Sequence, residues 1–251
     1  MNYYKLIVSY DGTDYFGWQA QAHGITLQNA MERAFLHAFK VPCQLLAASR
    51  TDAGVHALGQ VVSLRSKLSL APAILQKVFN TSLPAAIKVV QLEATTESYN
   101  PHVGVHQKTY AYRIFTTKPL PMFARFGWQP AMPERTDWHK FAATLPAFVG
   151  THDFTAFTRI EPGEEKQLLR SVSSINPEWI TPTELVVTIT GHSFLRYQIR
   201  RMLGAAFEIA RKRQFDAQIL QHSLATGKQL PPQLAYNAPA CGLCLMSIRY
   251  D

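Results

Sequence analysis

The densest run of reactive side chains is Ser49-Arg50-Thr51-Asp52-Ala53-Gly54-Val55-His56-Ala57. It sets a carboxylate, a guanidinium and an imidazole close together. An apolar strand signal ends before it, and another begins after it. A carboxylate beside an arginine, with a glycine to let the chain bend, suits an active-site loop. The same residues also suit a structural turn with an exposed Arg50–Asp52 pair, which contributes little energy.

Two other groups invite a chemical reading and fail it. Cys241-Gly242-Leu243-Cys244 has the spacing of a redox pair or half a zinc site. A redox pair opens a helix, whereas this one precedes a strand signal. Zinc needs four ligands, and Cys43 with a stray histidine would have to converge from afar. His102 and His106 are separated by two valines and Gly104, which suit extended chain rather than a metal-binding helix face. No phosphate-loop or dinucleotide-binding glycine fingerprint is present, and no metal site is expected of these residues.

The elements that must position the Asp52 loop can be read from periodicity. Strand signals fall at Tyr3–Tyr10, Cys43–Ala48, Gln60–Leu64, Ile87–Leu92, Thr109–Phe115, Val172–Ile175, Leu185–Thr190 and Leu243–Ile248. Each is short, rich in Val, Ile, Leu or Tyr, and bounded by polar residues or Pro/Gly. Thr26 caps a helix in which Leu27, Ala30, Met31, Ala34, Phe35 and Ala38 share a face. Ala71–Phe79 is a shorter helix, and Asp137 caps Trp138–Phe148. Between Leu195 and Arg211 one apolar stripe runs through Leu195, Ile199, Met202, Leu203, Ala206, Phe207 and Ala210.

In order, residues 3–92 read β-α-β-β-α-β. Residues 109–248 read the same way, with insertions around 150–168 and 212–240. Each half therefore matches the ferredoxin-like split βαβ arrangement. The expected class is α+β: two such halves, 1–100 and 101–251, forming one continuous, mainly antiparallel sheet with helices on one face. Tyr99-Asn100-Pro101 is the crossover, and Glu161-Pro162-Gly163-Glu164-Glu165-Lys166 is a turn-rich charged loop.

The length, 251 residues, suits one large domain or two intimate halves. Charged residues are 17% and hydrophobic residues 47%, which argues against wholesale disorder. No apolar run is long enough to span a bilayer. Lys and Arg number 25 against 17 Asp and Glu, a net charge of +8, which favours a polyanionic partner. Three cysteines cannot build a disulfide framework and suit a reducing compartment. The first residues read as a strand rather than a signal peptide. Cytoplasmic residence is the expectation.

The ordered motifs sharpen this picture. Arg50-Thr51-Asp52-Ala53-Gly54-Val55-His56-Ala57, followed by Gly59-Gln60-Val61, resembles the catalytic motif of the TruA family of tRNA pseudouridine synthases. Tyr10-Asp11-Gly12-Thr13, Phe16-Gly17-Trp18-Gln19 and Thr26-Leu27-Gln28 are similar to its N-terminal signature. Lys108-Thr109-Tyr110-Ala111-Tyr112-Arg113 resembles its tyrosine strand. His152-Asp153-Phe154, Phe194-Leu195 with Ile199-Arg200, and Ala238-Pro239 with Gly242-Leu243 resemble later segments. They occur in family order along nearly the whole chain.

The resemblance implies a cofactor-free isomerisation. The N1–C1′ bond of a uridine breaks, the base turns while bound, and C5 joins C1′. It implies that Asp52 is the catalytic aspartate. A carboxylate can attack a carbon, stabilise an oxocarbenium-like sugar or help remove a proton. Attack at C1′, attack at C6 and removal of the 2′ proton all remain open. Enclosure would raise the pKa of Asp52, and a cation beside it would offset that. Arg200 is the family-matched candidate, with Arg196 one turn earlier on the same helix. Arg50 is implied to hold RNA or splay the target nucleotide. Tyr110 is implied to stack on the extruded uracil; a tyrosine, with a pKa of about 10, is a poor base unless activated. Leu243 is implied to line the same pocket.

The implied partners are the anticodon stem-loop of tRNA, at positions 38, 39 and 40, gripped in a central RNA-binding cleft, and a second copy of the chain. No membrane partner is implied. Lys5, Arg50, Lys108, Arg113, Arg125, Arg196, Arg201 and Arg211 are candidates for phosphate contact. The chain departs from the family at Pro101-His102-Val103-Gly104, where many relatives carry Ala-Arg-Phe-Ser, and at Ser49, Arg201 and Cys244. His102 would be a weaker, pH-dependent stand-in for the arginine. The rival reading is a catalytically silent RNA-binding or RNA-chaperone protein on the same fold. Retention of Asp52, Tyr110 and Arg200 together favours catalysis.

Overall fold

A computed structural model describes residues 1–159 and 168–251. The charged run Glu161–Lys166 lies outside the described residues. In chain order the elements are β1 (Asn2–Tyr10), α1 (Leu27–Phe39), β2 (Cys43–Ala47), β3 (His56–Ser66), α2 (Pro72–Ser82), β4 (Ile87–Thr95), β5 (Val105–Phe115), α3 (Trp138–Thr144), β6 (Gly150–Asp153), β7 (Leu169–Thr181), β8 (Glu184–Gly191), α4 (Gln198–Arg211), α5 (Gln218–Thr226) and β9 (Leu243–Tyr250). The class is α+β, and the strand pairing is mainly antiparallel.

The chain divides into two compact units, Met1–His106 with Cys244–Asp251, and Gln107–Leu243.

In the first unit β1 shows the alternation that a half-buried strand requires. Tyr4, Leu6, Val8 and Tyr10 are buried, and the residues between them are less so. Leu6 lies opposite Val62 of β3 on one side and Leu92 of β4 on the other. On its far edge β3 pairs with β2 along its later half and runs parallel to β9 at His56 and Ala57. The order β4-β1-β3-β2 is that of a split βαβ unit. The Thr26 side chain accepts from the Asn29 N–H at 3.3 Å and starts α1, which buries Leu27, Met31, Ala34 and Phe35. Phe35 meets Phe79 of α2 edge-on, with centroids 5.3 Å apart.

In the second unit the order is β5-β8-β7-β6. Tyr110 lies opposite Ile189, and Tyr112 opposite Val187. Asp137 caps α3 by accepting from the Lys140 N–H at 2.9 Å. The expected helix Trp138–Phe148 is divided. After Thr144 it tightens into a 3₁₀ turn, Leu145–Phe148, because Pro146 has no N–H for the helical ladder. α4 begins at Gln198 rather than near Leu195, because Tyr197 adopts a left-handed backbone, φ 65°. Arg196 therefore precedes the helix instead of lying one turn back along it. The two segments read as insertions hold β6 and α5. α4 packs through Phe207 against Trp128, with centroids 4.6 Å apart. Among the described residues no helix is long and apolar enough to cross a membrane.

Removing the α1 cap tests this account. Thr26→Ala should lower the free energy of unfolding by about 1 kcal/mol, read from urea denaturation, without shifting the far-ultraviolet spectrum of the folded protein.

Candidate active site

Asp52 sits on the connection between β2 and β3, half-buried, with Thr51 buried before it and Arg50 exposed two residues earlier. The connection leaves regular strand pairing, so its backbone groups must find partners elsewhere. The carboxamide of Gln60, on β3 and fully buried, supplies several. Its Nε2 donates to the Ser49 carbonyl at 2.6 Å and to the Tyr10 hydroxyl oxygen at 3.3 Å. Its Oε1 accepts from the Ser49 N–H at 3.3 Å. The Tyr10 hydroxyl is in turn hydrogen-bonded with Thr51 Oγ1, 2.8 Å away. A buried amide thus anchors the chain on the approach to Asp52.

The segment after β1 closes on the same loop. The Trp18 N–H donates to the Thr51 carbonyl at 3.1 Å, and the Gly54 N–H donates to the Tyr15 carbonyl at 3.3 Å. Val55 N–H returns to the Asp52 carbonyl at 3.1 Å, which turns the chain tightly around the carboxylate. Two glycines allow the approach. A methyl at Gly12 would overlap the Val55 carbonyl, and one at Gly17, φ 84°, would fall 2.7 Å from the Thr51 carbonyl oxygen. His56 holds the far side. Its Nδ1 accepts from the Gly12 N–H at 3.2 Å and lies 3.2 Å from Asp11 Oδ1. A lone pair on Nδ1 serves the amide; a proton there would serve Asp11.

Tyr110, Arg200 and Leu243 belong to the second unit. Tyr110 is buried on β5, and Phe194 meets it edge-on at 5.4 Å. Leu243 is buried at the start of β9. Arg200 lies in the first turn of α4; its Nε donates to the Ala238 carbonyl at 2.7 Å, and its guanidinium lies 5.4 Å from the Tyr197 ring centroid.

The basic residues sort by what already holds them. Lys5 pairs with Glu93 at 3.0 Å, and Arg113 with Glu184 at 2.9 Å. Arg201 donates to the Thr158 carbonyl at 2.6 Å. Arg211 lies 5.2 Å from the Phe207 ring centroid. Burial lowers Lys108 to about 8. Arg50, Arg125 and Arg196 are exposed. The Cys241 thiol donates to the Gly127 carbonyl at 3.4 Å, and burial pushes its pKa up, so it is a packed thiol rather than a reactive one.

A family model described as tRNA pseudouridine synthase matches residues 6–101 and 145–251, most of the chain. The chain belongs to the tRNA pseudouridine synthase family. Members of that family are isomerases acting on uridine in tRNA. A protein of Thermodesulfovibrio yellowstonii named tRNA pseudouridine synthase A is 33% identical, over 98% of this chain and 98% of its own length. Proteins of the same name from Pelobacter propionicus and the Aster yellows witches'-broom phytoplasma are also 33% identical, over 98% and 99% of this chain. A chain of a Cbf5-Nop10-Gar1 complex overlaps 82% of this chain and 44% of its own, with a TM-score of 0.39 and 9% identity.

Within this family member, residue types alone conceal the supports of the Asp52 loop. Gln60 stands in a strand signal like any polar residue, and its partners at Ser49 and Tyr10 are remote in sequence. The clue was a glutamine on the buried side of an apolar run, where an unpaired amide would be costly. Gln60→Leu should lower unfolding free energy by about 1–3 kcal/mol, since buried Ser49 groups lose their partners. Hydrogen exchange measured by mass spectrometry should quicken across residues 49–55 of that variant more than elsewhere.

Proposed function

We propose that this synthase converts uridine to pseudouridine at positions 38, 39 and 40 of the tRNA anticodon stem-loop, with Asp52 as its catalytic residue. The observation that carries the reading is the Asp52 loop itself: a half-buried carboxylate on a loop fastened at Ser49, Thr51 and Gly54 by Gln60, Trp18 and Tyr15, in a chain of this family. A binding protein has no need to immobilise one carboxylate so thoroughly; a group that must meet a reacting atom does.

The reaction balances without an outside reagent. The N1–C1′ bond breaks, the C5–C1′ bond forms, C5 loses its proton and N1 gains one. Asp52 supplies the carboxylate for the covalent or proton-transfer step. Tyr110 stacks on the uracil, with Phe194 steadying its ring, and Leu243 gives the base an apolar neighbour. Arg200 offsets the cost of keeping a carboxylate charged away from water, and Arg50 engages the RNA backbone. On this reading the N-terminal half, 1–100, carries the acid, and the C-terminal half, 101–251, carries the aromatic and cationic groups.

Exposed Arg50, Arg125 and Arg196 are the stronger candidates for phosphate contact, since a phosphate can reach them from solvent. Three neighbouring targets require recognition of shape and backbone rather than one sequence. The enzyme works as a homodimer in the cytoplasm, bound across one tRNA.

The decisive experiment incubates the pure protein with unmodified tRNA tritiated at uridine C5. Tritium should be released with no added cofactor, and Asp52→Asn should abolish release while tRNA binding persists. Binding without release by the unaltered protein would leave only an RNA-binding role. In filter-binding titrations Arg50→Ala should weaken affinity and reduce the slope of log affinity against log salt by about 1.

A further inference from the structure

The segment Tyr236–Gly242 touches α4, which carries Arg200, and β5, which carries Tyr110. At α4 it comes so close that a methyl at Gly204 would overlap the Tyr236 carbonyl. Ala238, fully buried, is bound to Arg200 twice: its N–H donates to the Arg200 carbonyl at 3.1 Å, and its carbonyl accepts from Arg200 Nε at 2.7 Å. One residue later the Pro239 carbonyl accepts from the Tyr112 hydroxyl at 2.8 Å. Tyr112 is two residues from Tyr110 on β5, so the two rings share a face of that strand.

The phenol end of Tyr112 is enclosed. A methyl at Gly242 would lie 2.5 Å from Tyr112 Cζ, and Trp128 meets the ring edge-on at 6.3 Å. Burial holds the phenol well above its usual range, so it stays protonated and remains a donor. A buried hydroxyl packed on this side has a fixed direction, and the carbonyl it holds is fixed with it. The next carbonyl back, that of Ala238, accepts from Arg200 Nε. The chain of contacts is therefore Tyr112, Pro239, Ala238, Arg200.

We infer that Tyr112 is a positioning residue for the isomerisation, acting through the Ala238–Pro239 segment to aim the Arg200 guanidinium. The inference rests on the reading that Arg200 serves the reaction. Loss of the Tyr112 oxygen would leave the Pro239 carbonyl only the Gly242 N–H, a longer bond at 3.4 Å, and loosen the neighbouring carbonyl that accepts from Arg200 Nε. A misplacement of about 1 Å near reacting atoms can cost a hundredfold in rate. The effect here is transmitted through one peptide unit, so about tenfold is expected.

The test is single-turnover tritium release by the full chain, with tRNA affinity measured in parallel. Tyr112→Phe should slow release about tenfold with affinity unchanged within about twofold. Arg200→Ala should slow it more. The double variant should be no slower than Arg200→Ala alone, because a residue acting through Arg200 has nothing left to aim. At position 112, 4-aminophenylalanine, which keeps a donor, should work nearly as well as tyrosine. A methyl in place of the hydroxyl, which keeps only the size, should behave like phenylalanine; this pair decides the matter if the phenylalanine variant folds poorly.

Release unaffected by Tyr112→Phe, or losses that multiply in the double variant, would overturn the role of Tyr112 while leaving Arg200 in place. Release unaffected by Arg200→Ala would remove Arg200 from the reaction and the role of Tyr112 with it.

Discussion

A carboxylate that must meet one carbon of a bound nucleotide needs a backbone that does not drift. On the proposed role of Asp52, that constraint falls on the short connection between β2 and β3, where strand pairing has stopped. Gln60 takes over from the ladder with bonds to both the N–H and the carbonyl of Ser49. Tyr10 and Thr51 extend the same network toward the acid. Buried polar groups of this kind cost free energy if left unpaired, and their pairing selects one loop conformation over its alternatives. The close approach at Gly12 and Gly17 completes the enclosure from the other side.

The second unit follows the same logic with different parts. There a backbone segment, rather than a side-chain amide, joins the supports. The carbonyls of Ala238 and Pro239 accept from Arg200 and Tyr112, and Gly242 leaves room for the phenol. The Ala238-Pro239 and Gly242-Leu243 pairs, noticeable in the sequence only as a resemblance, thereby acquire a physical reason. In both units the supporting residues have less conspicuous types than the groups they hold.

Much of this architecture was legible in the chain because local rules agree with it. The alternation of Tyr4, Leu6, Val8 and Tyr10 announces β1, and Thr26 announces the start of α1. The βαββαβ order of the first unit follows from such signals alone. What escaped had identifiable causes. β6 has only four residues, Gly150–Asp153, with no apolar alternation. α5 buries Leu220, Ser223 and Leu224, and a serine in the stripe masks its face. The start of α4 depends on the left-handed backbone of Tyr197, which a bulky residue seldom adopts. The site supports were hidden for another reason: Gln60 and Tyr10, or Tyr112 and Pro239, are partners only after distant parts of the chain have met.

The return of residues 244–251 to the first unit bears on how the chain is made. β3 pairs with β9 at the very point, His56 and Ala57, where the Asp52 loop rejoins the sheet. A ribosome delivers β3 long before it delivers β9, and all of Gln107–Leu243 emerges in between. The acid-bearing loop therefore waits for this neighbouring strand until the whole of the second unit has been made. Such long-range closure slows folding and leaves a strand edge open meanwhile. A nascent chain stalled before residue 244 would hold Asp52 in an unfinished frame, so on the proposed reading competence waits for residues 244–251.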